Sequence, residues 1–162
     1  QERHKYELMY DLNSYLEEGK NKEIKFAELF NLYDLSSKLQ DLYEHWDVKI
    51  NGKKFDIKGL KKTKRSDSDT NENIHWIEIK GITGKLGWLY GDADYFAFET
   101  LDYWIIVDKT KLQDYIKTNT IKEYTEHPTI NKLYQRKNRL DILTIIKTLV
   151  LCYISDSILK KK

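Results

Sequence analysis

Apolar positions recur along the chain with different spacings, and each spacing predicts a different element. Between residues 2 and 18, Tyr6, Leu8, Met9, Leu12, Tyr15 and Leu16 fall on one side of a helix, with Gly19 placed to cap its end. Phe26, Leu29, Phe30, Leu32, Leu39, Leu42 and Tyr43 carry helical spacing up to Trp46, as one helix or as two broken near residues 34–37. The period then drops to two. In WDVKINGKKFDIKG, residues 46–59, alternating residues flank Asn51-Gly52, a dipeptide whose tolerance of positive φ suits a two-residue type I′ turn. Such a loop fixes the register, so Ile50 faces Lys53, Lys49 faces Lys54, Val48 faces Phe55 and Asp47 faces Asp56. Trp46, Val48, Ile50, Phe55 and Ile57 make the apolar face, and Asp47, Lys49, Lys54, Asp56 and Lys58 the polar one.

Beyond the hairpin, residues 61–73 are polar and aperiodic, which predicts a loop. His75 to Lys80 alternates as a strand, with Trp76, Glu78 and Lys80 on one side. A glycine-punctuated, aromatic segment leads to a strand at Tyr95 to Phe98, and YWIIV, residues 103–107, reads as a central strand buried on both faces. Asp108 is placed to cap a helix containing Leu112, Tyr115 and Ile116. Residues 140–146 suit either strand or helix, residues 143–154 read as a buried segment broken at Lys147-Thr148, and the terminal lysines read as a frayed end. The order predicts an α/β (α+β) fold: one mixed central sheet, entered through an N-terminal hairpin meander and flanked by helices. A length of 162 residues suits a single domain, with a helical part at 1–45, the core sheet at 46–108 and a C-terminal part at 109–162.

Composition narrows the classes. One cysteine, Cys152, forms no internal disulfide, and the four histidines lack zinc-site spacing, so a reducing, intracellular and cytoplasmic setting is expected. No apolar run approaches the ~20 residues of a membrane span, and no signal segment opens the chain. A net charge of +2 is too small to indicate nucleic acid by itself, so that case rests on local clusters. Two qualify: Lys61, Lys62, Lys64 and Arg65 in KGLKKTKR, and Arg136, Lys137 and Arg139 in QRKNR. Tyr134 or Trp88 could stack on a base beside them. No phosphate-cradling GxxxxGK[ST] run is present.

The hairpin register raises a chemical question, because it sets Asp against Asp and Lys against Lys, and like charges directly opposite destabilise a hairpin. Two carboxylates so placed are tolerated if one is protonated, if lysines screen them on a solvated surface, or if a divalent cation lies between them. Metal-assisted phosphodiester hydrolysis uses the third arrangement. Mg²⁺ takes one or two carboxylates plus waters and substrate phosphate, and a nearby lysine positions or deprotonates the attacking water. Asp47 and Asp56-Ile57-Lys58 supply those groups, and Glu78 with Lys80 offers a further acid and amine on the next strand.

At these residues the chain resembles the PD-(D/E)xK nuclease superfamily, the restriction-endonuclease-like and Holliday-junction-resolvase-like enzymes. WDVKI, FDIKG, WIEIK, the GW segment followed by ADYFAFE, and YWIIVD with its trailing helix carry the similarity, over roughly residues 46–108, and look like small nucleases of phage or mobile-element origin. The resemblance implies a core of helix, three antiparallel strands, helix and strand, and a Mg²⁺- or Mn²⁺-dependent endonuclease acting on DNA, in many members as a homodimer. It implies metal on Asp47 and Asp56, Lys58 acting on the water, and Glu78 as auxiliary ligand or water-holder. A second alignment makes Asp56 the lone aspartate and Glu78-Ile79-Lys80 the triplet. The acid that the preceding helix sometimes supplies would be Glu28 or Glu44. No proline precedes Asp47 or Asp56, which departs from the family pattern. A nuclease-like fold that no longer cuts, and serves as a binding module for nucleic acid or protein, is the alternative.

Overall fold

The computed structural model describes residues 18–162, so the helix expected over residues 2–18 lies almost wholly outside the described residues. Residues 18–27 are helical (α1) and bury Phe26 and Ala27. After them come β1 (Asp34–Leu35), α2 (Lys38–Glu44), β2 (Val48–Ile50), β3 (Lys53–Lys58), β4 (Ile74–Lys80), a 3₁₀ turn (Trp88–Tyr90), β5 (Tyr95–Glu99) and β6 (Tyr103–Asp108). The chain continues through α3 (Lys109–Asn119), β7 (Ile121–Thr125), β8 (Lys132–Tyr134), β9 (Ile142–Lys147), α4 (Thr148–Ile154) and β10 (Ser157–Lys160). It is a mixed α+β fold.

Two sheets replace the single sheet expected. The first runs β1-β2-β3-β5-β6-β10 and the second β4-β9-β8-β7. Strand β3 pairs with β2 antiparallel and with β5 parallel, while β4 crosses to the second sheet and pairs with β9. The three consecutive strands 46–80 therefore do not form one antiparallel meander. The cause is the polar connection after β3, which is long enough to carry β4 away. That leaves the edge of β3 to YFAFE, whose Phe96 and Phe98 pair with Asp56 and Lys58.

Two apolar clusters follow. One lies between the sheets and joins Phe96, Phe98, Ile105 and Val107 to Ile77, Ile146, Leu112, Ile116 and Leu151. The other covers the opposite face of the first sheet, where Phe26 and Ala27 of α1 meet Val48, Ile57, Ala97, Trp104 and Ile106. With clusters on both faces, YWIIV has to be apolar throughout, and residues 104–107 are all buried.

Several boundaries have local causes. The Lys147-Thr148 break ends β9 and opens α4, with the Thr148 N–H donating to the Asn73 carbonyl. Asp108 caps α3 by accepting from the Lys111 N–H at 3.2 Å. Helix α2 carries a capping box from Ser37 and Gln40 and ends at His45 in the left-handed region, φ 57°. It buries no residue, so Leu39, Leu42 and Tyr43, which carry the helical spacing, are exposed, as is Leu32 before it. The C-terminal lysines are not frayed: β10 pairs with β6, and Lys161 forms an ion pair with Glu99 at 2.7 Å. No helix among the described residues is long and apolar enough to cross a membrane.

Candidate active site

The hairpin forms about Asn51 (φ 50°) and Gly52 (φ 77°), both in the left-handed region that a type I′ turn requires. Ile50 pairs with Lys53, Lys49 with Lys54 and Val48 with Phe55, as the loop length dictates. The ladder then changes. The Asp47 N–H donates at 2.8 Å to the carbonyl of Phe55, the residue already paired with Val48, so two residues of the first strand oppose one of the second. This slip moves Trp46 out of the apolar face expected for it and into the cluster between the sheets, under the amines of Lys49 and Lys54. It also removes Asp47 from formal pairing with Asp56. The side chain compensates: Asp47 Oδ2 accepts from the Ile57 N–H at 2.6 Å and so lies beside Asp56, bonded to the strand on both sides of it.

Asp47 is 5% exposed and Asp56 3% exposed, which rules out a solvated, lysine-screened ladder. Lys58 Nζ lies 2.9 Å from Asp56 Oδ1, whereas Asp56 Oδ2 is buried without a hydrogen-bond partner. Burial, reinforced by the charge of Asp56, pushes the Asp47 carboxyl up to about 8, against the opposing pull of Lys58 and the Ile57 N–H. Burial likewise raises Asp56, against the pull of Lys58, and the two carboxyls lie within hydrogen-bonding reach of one another. Without a metal the pair therefore holds a proton near neutral pH.

A third carboxyl stands beside them that sequence reasoning missed. Glu23 of α1 is within hydrogen-bonding reach of Asp47, and burial, then the charge of Asp47, pushes it up to about 7. Its signal was available in the helical spacing: Glu23 lies three and four residues before Phe26 and Ala27, the buried face of α1. The two acids considered instead are engaged elsewhere. Glu44 binds the Trp46 indole N–H at 2.5 Å, and Glu28 is exposed, its carbonyl accepting from Lys162.

Glu78 and Lys80 do not join the pair. Strand β4 is in the second sheet, where Glu78 Oε1 accepts from the Trp88 N–H at 3.2 Å and Lys80 is exposed, its backbone bridged to Leu86. The alignment with Glu78-Ile79-Lys80 as the triplet thus rests on an exposed lysine at the end of a second-sheet strand. Glu78 is linked to the site through Trp88, whose ring carries Lys58 Nζ at 4.2 Å from its centroid. That contact occupies one face of an indole expected to stack on a base.

The basic residues lie on two exposed loops. Lys61, Lys62, Lys64 and Arg65 follow β3, and Arg136, Lys137 and Arg139 precede β9. Trp76 bridges them, donating from its indole to the Lys62 carbonyl at 3.1 Å and packing edge-on to Tyr134 at 5.2 Å. Buried Asp141 holds Arg136 at 2.9 Å and Arg139 at 3.7 Å beneath an open cleft of about 400 Å³.

A divalent cation can be tested against these residues. Asp56 and the adjoining Asp47 offer hard oxygen donors, and Asp56 Oδ2 lacks a hydrogen-bond partner, which suits Mg²⁺ or Mn²⁺. No group of three or more His, Cys, Asp or Glu side chains among the described residues is arranged to hold an ion by itself. A metal there would be carried by two carboxylates and would keep waters or substrate oxygens in its other positions. No family model, curated protein or solved structure matches the chain.

Proposed function

We propose that the protein is a divalent-metal-dependent nuclease that hydrolyses phosphodiester bonds in DNA at the Asp47, Asp56 and Lys58 cluster. One observation carries this reading. Two acids sit side by side at a buried strand slip, an amine lies 2.9 Å from one of them, and the second oxygen of that acid is buried with no donor hydrogen-bonded to it. Buried carboxyls kept together at a cost in burial and repulsion are a mark of functional sites. The similarity of FDIKG and its neighbours to the PD-(D/E)xK nucleases supports the same reading.

Asp47 and Asp56 would hold the ion, with Glu23 next to Asp47 adding negative charge. Bound there, Mg²⁺ would polarise the phosphoryl oxygen and lower the pKa of a water. The protein's own groups do the rest. Lys58 neutralises Asp56 while the site is empty, and orients the attacking water or offsets developing charge when phosphate is present. The two basic loops that meet at Trp76 would supply cations for the phosphate backbone. A DNA substrate calls for an intracellular site of action.

The test is nicking of supercoiled plasmid or branched DNA with Mg²⁺ or Mn²⁺. Asp56→Ala and Lys58→Ala are each expected to lower cleavage by about 10²- to 10⁴-fold. Activity that persists in both variants removes the reading. Salt-sensitive DNA binding with neither cleavage nor Mn²⁺ binding would instead make this a nuclease-like binding module.

A further inference from the structure

We infer that Trp88 is a positioning residue that seats the Lys58 amine, and that Glu78 serves the site only by fixing Trp88. The inference deepens the proposed nuclease reading and rests on it for the role of Lys58 in cleavage. The amine lies between two partners, Asp56 Oδ1 at 2.9 Å and the Trp88 ring face at 4.2 Å. They behave differently when a dication arrives. With a dication held by its oxygens, Asp56 would no longer attract the ammonium, whereas the indole face would remain a seat for it. A lysine on a flexible four-carbon stem would otherwise be released into solvent at the stage when it has to act.

Several contacts hold the seat. The Trp88 N–H is held by Glu78 Oε1, and the Gly87 N–H donates to the Ile79 carbonyl at 2.8 Å. A Cβ at Gly87 would stand 2.6 Å from the Glu78 carbonyl oxygen, so only glycine lets the turn lie this close to β4. Gln113 of α3 donates to the Leu89 carbonyl and Lys109 to that of Gly91, both at 2.9 Å. The indole packs edge-on to Phe96 at 5.1 Å and against Phe98 at 6.3 Å. Those two residues pair with Asp56 and Lys58, which sets the ring above the strands that carry the site.

The experiment combines NMR of ¹³Cε-labelled lysines with cleavage kinetics and Mn²⁺ titration. It uses the full chain with Trp88→Phe, Trp88→Leu, Glu78→Gln and Glu78→Ala, and Lys58→Ala assigns the signal. In the wild type without metal, the indole ring current should move the Lys58 ε-methylene upfield. That shift should survive in Trp88→Phe and Glu78→Gln and disappear in Trp88→Leu. Trp88→Leu should lower kcat about 10- to 100-fold with KM and Mn²⁺ affinity unchanged, and Trp88→Phe should recover most of it. Glu78→Ala, which frees the turn without emptying the core, should move in the same direction as Trp88→Leu and covers the case in which that variant fails to fold. No upfield Lys58 signal in the wild type, wild-type kcat in Trp88→Leu, or weakened Mn²⁺ binding in Glu78→Gln would each overturn the inference. A shift that follows the ring in a protein that cuts no DNA would uphold the seat and remove the nuclease reading alone.

Discussion

Asp47 and Glu23 hold protons in the folded state that they lose on unfolding, and the sign of that difference can be measured. Their carboxyls are pushed from 3.8 and 4.5 up to about 8 and about 7, so between those limits the folded state binds more protons than the unfolded one. Stability without metal then falls as pH rises, by up to about 1.4 kcal/mol per pH unit for the Asp47 proton and by less for the better-solvated Glu23. His75 works the other way, since burial lowers it from 6.5 to about 4, but its contribution is lost on acidification and lies below pH 6.5. The window from pH 6.5 to 8 therefore isolates the carboxyls. In EDTA the melting temperature should drop across it, Asp47→Asn should flatten the drop, and Mg²⁺ at 100 times its Kd should restore about 2.7 kcal/mol at pH 8. A flat profile in EDTA would contradict the buried, protonated pair.

At the scale of elements, the two glycine turns flanking the site do different work. Gly52 has open space around its missing Cβ but φ +77°, so Gly52→Ala meets only backbone strain, about 1–2 kcal/mol. Gly87 has no such backbone constraint. There the added methyl would run into the backbone of β4, and Gly87→Ala should cost about 1–3 kcal/mol and displace Trp88 from Lys58. Urea denaturation gives the two costs, and the Lys58 resonance separates them: Gly52→Ala should leave it in place and Gly87→Ala should move it. The hairpin was legible from its alternation and its Asn-Gly turn. The slip at Asp47 was not, because it depends on where Trp46 finds room, and that room lies between the sheets.

At the scale of the whole molecule, Glu99 ties together three distant parts of the chain. It accepts from Lys22 of α1 at 3.1 Å, from Lys161 after β10 at 2.7 Å, and from the Leu60 N–H at 2.9 Å. Burial alone would raise its carboxyl, but these three donors hold it below the usual range. Removing it leaves two lysines beside a buried site without their acid. Glu99→Ala should cost about 3 kcal/mol in urea denaturation, and Glu99→Gln less, since the amide oxygen still accepts. A loss under about 1 kcal/mol for Glu99→Ala would show the linkage to be incidental. The lysine run at the end of the chain looked solvated because nothing local marks Lys161; its partner lies 62 residues away.

Local rules determined what the sequence could determine by itself. A two-residue turn sets a register, period two and period 3.6 separate strand from helix, and an Asp before a helical run caps it, so the hairpin, YWIIV, the α3 cap and the closeness of Asp47, Asp56 and Lys58 were all readable. Partners distant in the chain were decided only in three dimensions. The crossing of β4 to a second sheet removed Glu78 and Lys80 from the acids and made Glu78 the anchor of Trp88. The packing of α1 brought Glu23 to Asp47, and β10 paired a terminus that read as frayed with β6. The physical reason is common to all three: a sequence pattern records which face of an element is apolar, whereas the surface that buries that face is chosen by competition among all the others.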